Sequence, residues 1–195
     1  MKKRFLIILI LLFLLPGCSI DLSTPEPTPD PTIEQPTPEP TPTPEPEFDI
    51  SEYKAIASNL NDSIMDLSIL LSNMGQYMYN YWVALENIGG TIDYDIMIDS
   101  AYKWIEENAD TSKDDILSAY DKIEKLHNGF VIINIDDPLA EDIAEKLFDL
   151  YNAFFSLYIL ITQPSGEIDW FANDFNRYSN IIVENNELIS SLVSS

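Results

Sequence analysis

The sequence contains one cysteine, Cys18, and one histidine, His127. No disulfide can close within such a chain, and no zinc site built on several thiolates is available. A single imidazole also excludes the paired Glu-x-x-His motifs of di-iron bundles and the His-Glu-x-x-His helix of metalloproteases, and it removes most nucleophile–base pairs. Glycine is scarce at 6 residues in 195. None of it builds a phosphate-cradling loop or a Gly-x-Ser-x-Gly elbow. Cations are few: 10 Lys and Arg against 33 Asp and Glu give a formal net charge of -23. Seven of the acids and three of the bases precede Phe48, so 26 acidic side chains face 7 basic ones from there on. That field repels phosphate backbones and anionic lipid head groups, which excludes nucleic acid as a partner. A basic protein, a divalent cation or water remains as its complement. With 26 acids, any single carboxylate pair is uninformative, so no glycosidase-type site is singled out. The expectation is a non-enzymatic chain with no catalytic residue, no cofactor and no metal.

What is present begins with Lys2, Lys3 and Arg4, followed by an unbroken apolar run from Phe5 to Leu15. Eleven residues make about 16 Å of helix, well short of a bilayer core of roughly 30 Å, so the segment reads as a signal peptide rather than a membrane span. It ends in Leu15-Pro16-Gly17-Cys18. These four residues resemble the lipobox of bacterial lipoproteins, with Pro16 in place of the commoner small residue. The resemblance covers only the first 18 residues. It implies cleavage of residues 1–17 and diacylglyceryl transfer to the thiol of Cys18. It also implies a lipid-anchored (diacyl or palmitate-bearing) protein at the cell membrane, facing outside the cytoplasm at the cell surface or in the periplasm. Two acyl chains give stable anchoring where one gives only weak, reversible contact.

Residues 18–47 form the anchored cysteine and a linker. From Thr24 to Glu47 the chain repeats Thr-Pro-Glu-Pro and close variants, with ten prolines. Alternating prolines fix φ and remove backbone donors, which predicts a disordered, extended polyproline stalk without a core. At about 3.1 Å per residue it spans up to roughly 75 Å.

Residues 48–195 read as an all-α domain. Asp49 and Glu52 give helix-start spacing. A heptad seam of coiled-coil type then runs Tyr53, Ala57, Leu60, Ile64, Leu67, Leu71, Met74, Met78, Tyr81, Leu85, Ile88. Gly75 interrupts it as a candidate kink, and Gly89-Gly90 ends it. A second helix opens at Thr91 or Asp93, with Tyr94, Ile98, Ala101 and Ile105 facing inward. A third starts with the capping-box pair Ser112 and Asp115 and stops at Gly129. Phe130–Ile135 is read as a tucked connector. Asp137-Pro138 opens a fourth helix, expected to be the most buried, in which Ala144, Phe148, Tyr151, Phe155 and Tyr158 widen the stripe of Ala140, Ile143, Leu147, Leu150, Phe154, Leu157 and Ile161. The last helix carries Phe171, Phe175, Tyr178, Ile182, Asn185 and Ile189, with Asn185 as a polar register-setter. The predicted architecture is an antiparallel up-down four-helix-type bundle with one rod broken into two short helices, wide enough in its apolar stripes to be a monomer.

Three short matches to known chemistry fail on inspection. Ser51 and Lys54 have Ser-x-x-Lys spacing without a Lys-Thr-Gly partner, and read as first-turn residues. Glu124 and His127 have Glu-x-x-His spacing, but His127 is read as a cation at the negative end of its helix. Asp93, Asp95 and Asp99 begin like a calcium loop that Met97 and Ile98 then break. Tyr79 and Trp170 stand off the seams and toward the membrane-distal end, which makes them candidate partner-binding residues. The functional expectation is an interaction module for an extracytoplasmic protein, polymer or cell-wall partner; the alternative is a small-molecule or lipid binder with a pocket in the bundle.

Overall fold

A computed structural model describes residues 49–195 as five helices: α1 (Ile50–Asn87), α2 (Tyr94–Ala109), α3 (Lys113–Phe130), α4 (Pro138–Thr162) and α5 (Ile168–Ser194). The lipobox-like segment, Cys18 and the Pro-rich stretch lie outside the described residues.

Four of the five starts are built by a short polar side chain that satisfies an orphan N–H, while Glu167 before α5 makes no such bond. Asp49 accepts from the Glu52 amide, Asp93 from Ile96 and Asp137 from Leu139, while Ser112 and Asp115 close the reciprocal box on α3. α1 ends where Gly89 turns left-handed at φ +69°. The Gly89 and Gly90 amides then donate to the carbonyls of Glu86 and Leu85, so the last turn leaves those acceptors satisfied.

Four contacts fix the topology. Trp82 meets the edge of Tyr94 near the top of α1, and Tyr53 packs on Phe130 near its foot, so α2 and α3 descend in series beside α1. The Tyr53 hydroxyl donates to the Ala140 carbonyl at 3.2 Å, so α4 rises from the foot. Trp82 also packs on Phe171, so α5 descends from the top. The result is an up-down-up-down bundle in which α2 and α3 together make one broken rod. Tyr94 closes the top by donating to the Gly166 carbonyl of the α4–α5 turn at 2.8 Å.

α1 is buried along two adjacent heptad lines. One is the apolar seam from Tyr53 to Met78. The other is Asn61, Ser68, Gly75 and Trp82, mostly small or polar, and it faces α5 through Asn61–Asn186, Gly75–Phe175 and Trp82–Phe171. Gly75 is therefore a point of close approach: a Cβ there would collide with the Phe175 ring and lie 2.8 Å from Ile161 Cδ1. Near the top, burial passes from the Tyr81 line to Trp82, and Ile88 stands exposed. A straight helix drifts about 20° per heptad from a 3.5-residue repeat, which moves burial off the heptad line by the top of α1.

Four expectations need correction. α3 runs through Gly129 to Phe130, and Gly129 is tolerated because a helix loses only about 1 kcal/mol to an interior glycine. The connector is tucked only in part: Ile133 and Ile135 pack on the core, while Val131 and Ile132 project into solvent. Phe148 and Phe155 of α4 are 59% and 42% exposed rather than core. Asn185 is buried, but its amide donates to Ile181 of its own helix; the cross-helix amide contact is made one position later, by Asn186.

Candidate functional site

Tyr79 and Trp170, the two aromatics that sequence periodicity sets off the seams, do reach the same end of the bundle, near the α1 terminus and the start of α5. Tyr79 is half-buried and walls a shallow depression of about 190 Å³ with Gln76, Phe171, Phe175 and Asn176. Trp170 is 69% exposed. It precedes the inward Phe171 by one residue, which sets it about 100° round the helix, while Ala172 and Asn176 of the depression lie on the opposite flank. One end of the bundle thus carries both residues, on different flanks of α5.

A larger non-core aromatic surface lies between α3 and α4. Their backbones scarcely approach each other, whereas α4 and α5 pack closely. The gap is bridged by stacked rings. Tyr120 of α3 lies parallel to Tyr158 of α4 with centroids 4.0 Å apart, and His127 lies on Tyr151 with centroids 3.6 Å apart and planes within 4°. Rings of this size hold helices further apart than aliphatic ridges do, and the seam between them stays open as a groove. Phe148 and Phe155 stand along its α4 wall, two turns apart. At its foot a depression of about 350 Å³ opens between Tyr53, His127, Phe130, Val131, Leu147 and Phe148.

The groove is electrostatically one-sided. Burial raises the phenol of Tyr120 to about 12, with Tyr151, Glu124, Tyr158 and Asp121 adding to the rise. Tyr151 is raised by burial and by Glu124, and Tyr158 by burial and by Asp121. Asp121 and Glu124 therefore sit along the same flank as the rings. Burial lowers the imidazole of His127, and its Nε2 is enclosed without a hydrogen-bond partner. The expected cation at the α3 terminus is instead a neutral ring in a stack, because desolvation outweighs the favourable end of the helix dipole.

The short motifs acquire ordinary structural settings. Asp93 caps α2, and Asp99 pairs with Lys113 at 3.9 Å. Ser51 and Lys54 occupy the first turn of α1. Among the described residues no three His, Cys, Asp or Glu side chains gather as a metal site, and no helix is long and apolar enough to cross a membrane. The groove itself had a sequence signal: the second stripe on α4, with Phe148, Tyr151, Phe155 and Tyr158, is wider than one neighbouring helix can cover.

The chain matches no family model, no curated protein and no solved structure.

Proposed function

We propose that this protein is an extracytoplasmic lipoprotein, anchored through Cys18 and raised on its Pro-rich stalk, whose acidic bundle is a non-enzymatic interaction module. The observation that supports this most is the pairing of a closed core with large apolar side chains left outside it. Phe148, Phe155 and Trp170 stand in solvent outside a core that runs the length of the bundle. Aromatics of this kind anchor protein interfaces. Among the described residues, by contrast, ionisable groups do not converge into a nucleophile, base and orienter. A stalk of up to roughly 75 Å serves presentation rather than turnover of a soluble substrate.

The test is affinity capture from solubilised native envelope with the full chain as bait, beside a Tyr79→Ala/Trp170→Ala variant and a Phe148→Ser/Phe155→Ser variant. A saturable partner lost in one variant supports the module and assigns its face. No saturable partner with any bait rejects it. A second reading, a small-molecule or lipid binder, draws on the apolar depression of about 350 Å³ beneath Phe148. Native mass spectrometry of the chain purified from its own envelope tests it: a retained apolar ligand supports that reading, and bare protein rejects it.

A further inference from the structure

We propose that the α3–α4 groove docks a basic amphipathic helix of a protein partner, whose apolar face lies on Phe148 and Phe155 and whose Lys or Arg side chains meet Asp121 and Glu124. The inference rests on the interaction-module reading and names its surface and the chemistry of its partner.

Shape is the first argument. Phe148 and Phe155 are seven residues apart on one helix, about 10.5 Å along the axis, which matches the i, i+7 spacing of anchors on a helix laid alongside. The Tyr120–Tyr158 and His127–Tyr151 stacks bridge α3 and α4 alongside them. The depression at the foot, walled by Tyr53, Phe130 and Phe148, is a seat for one terminal apolar anchor. An apolar pocket beside exposed aromatic anchors is the arrangement in which a few residues carry most of an interface's affinity.

Charge is the second argument, and it selects the occupant. On α3 the two acids Asp121 and Glu124 flank the rings; Lys122 borders Ser63 and Asp66 of α1, and Lys125 lies with Lys122 on the outer side of Asp121. Asp121 and Glu124 are exposed and in no ion pair among the described residues, whereas Glu145 of the foot depression is already held by Lys146 at 2.6 Å. At the upper end the protein supplies one cation itself: Lys113 Nζ sits 4.7 Å from the centroid of Tyr102 and 3.9 Å from Asp99. A partner's Lys or Arg over Tyr120 or Tyr151, against Asp121 or Glu124, repeats that arrangement. A second copy of this chain would bring the same excess of carboxylates, 26 acids to 7 bases, and an anionic lipid surface would be repelled in the same way.

The probe is a fluorescein-labelled 14-residue helical peptide with leucine on one face and lysine on the other, titrated with the full chain and read by anisotropy. A leucine/glutamate peptide of the same pattern is the charge control. The expected result is saturable micromolar binding of the lysine peptide and none of the glutamate peptide. Phe148→Ser/Phe155→Ser and Asp121→Lys/Glu124→Lys should each weaken binding at least tenfold, while Tyr79→Ala/Trp170→Ala leaves it unchanged. All four positions in the groove variants are exposed, and unchanged helical circular dichroism and melting temperature confirm that each variant folds. No binding by the native chain overturns the proposal, as does equal binding by the native chain and either groove variant. Envelope capture separates the two levels: a partner lost with Tyr79→Ala/Trp170→Ala but kept with Phe148→Ser/Phe155→Ser keeps the module and discards the groove.

Discussion

The imidazole of His127 and the phenol ring of Tyr151 lie face to face, with centroids 3.6 Å apart and planes within 4°. Enclosure in this stack lowers the histidine's affinity for protons, and its Nε2 has no acceptor to receive a second N–H. The unfolded chain protonates its histidine near the ordinary value of about 6.5 while the folded chain resists, so folding releases a proton in that window. The contribution of His127 to stability is full above about pH 6.5 and is lost as pH falls through the lowered folded value. Carboxylates on the same chain titrate at lower pH, so the comparison is with His127→Phe, which keeps the stack. Thermal melts between pH 7.5 and 5 should show native stability falling relative to the variant as the pH drops; parallel curves would mean that the imidazole is not desolvated.

Gly75 and Gly89 are irreplaceable for different reasons, and substitution separates them. Alanine at Gly75 gains about 1 kcal/mol of helix propensity but drives a methyl into Phe175 and Ile161, an overpacking cost of about 1–3 kcal/mol. Gly75→Ala should be destabilising on balance, and Phe175→Leu in the same chain should recover part of the loss. Around Gly89 nothing lies within 4 Å of a new Cβ, yet φ is +69°. Gly89→Ala should therefore cost about 1 kcal/mol with no packing partner able to rescue it. Urea melts of the three variants beside the native chain check both statements.

Asn61 donates to Asn186 Oδ1 at 2.8 Å, with Ser190 Oγ a longer second acceptor at 3.4 Å, while Asn61 Oδ1 is enclosed and unpaired. Removing only the acceptor strands the buried amide, so Asn186→Ala should cost about 1–3 kcal/mol. Replacing the half-satisfied amide itself by Asn61→Leu should cost less, because it also removes the unpaired acceptor. Denaturant midpoints in the reverse order would show that the contact carries no register between α1 and α5.

The seams of α1 and α4 were legible in the sequence because burial follows helical period: every member of the main α4 stripe, from Ala140 to Ile161, is buried. Caps were equally legible at Asp49, Ser112 and Asp137, where a short oxygen-bearing side chain precedes the first turn. Period gives the face of a helix and not its distance from a neighbour. That is why Phe148 and Phe155 read as core: nothing in their spacing shows that stacked rings hold α3 away. The second line on α1 was hidden for a related reason, since Asn61, Ser68 and Gly75 are not apolar and a hydrophobic count passes over them. His127 was misread because its neighbours in sequence set a dipole, while its neighbour in space, Tyr151, removes water. Tyr79 and Trp170 lie at the same end of the bundle, but the one-residue offset of Trp170 from Phe171 sends it to the other flank of α5.

The central claim is that the bundle presents a surface that is covered in its native setting, and that this surface is the α3–α4 groove. Hydroxyl-radical footprinting of the full chain in intact envelope, against the same chain purified, measures this directly through the oxidation of Phe148, Phe155 and Trp170. The account predicts strong protection of Phe148 and Phe155 in the envelope, with Trp170 equally reactive in both samples. Equal reactivity of the two phenylalanines in envelope and in isolation would contradict it.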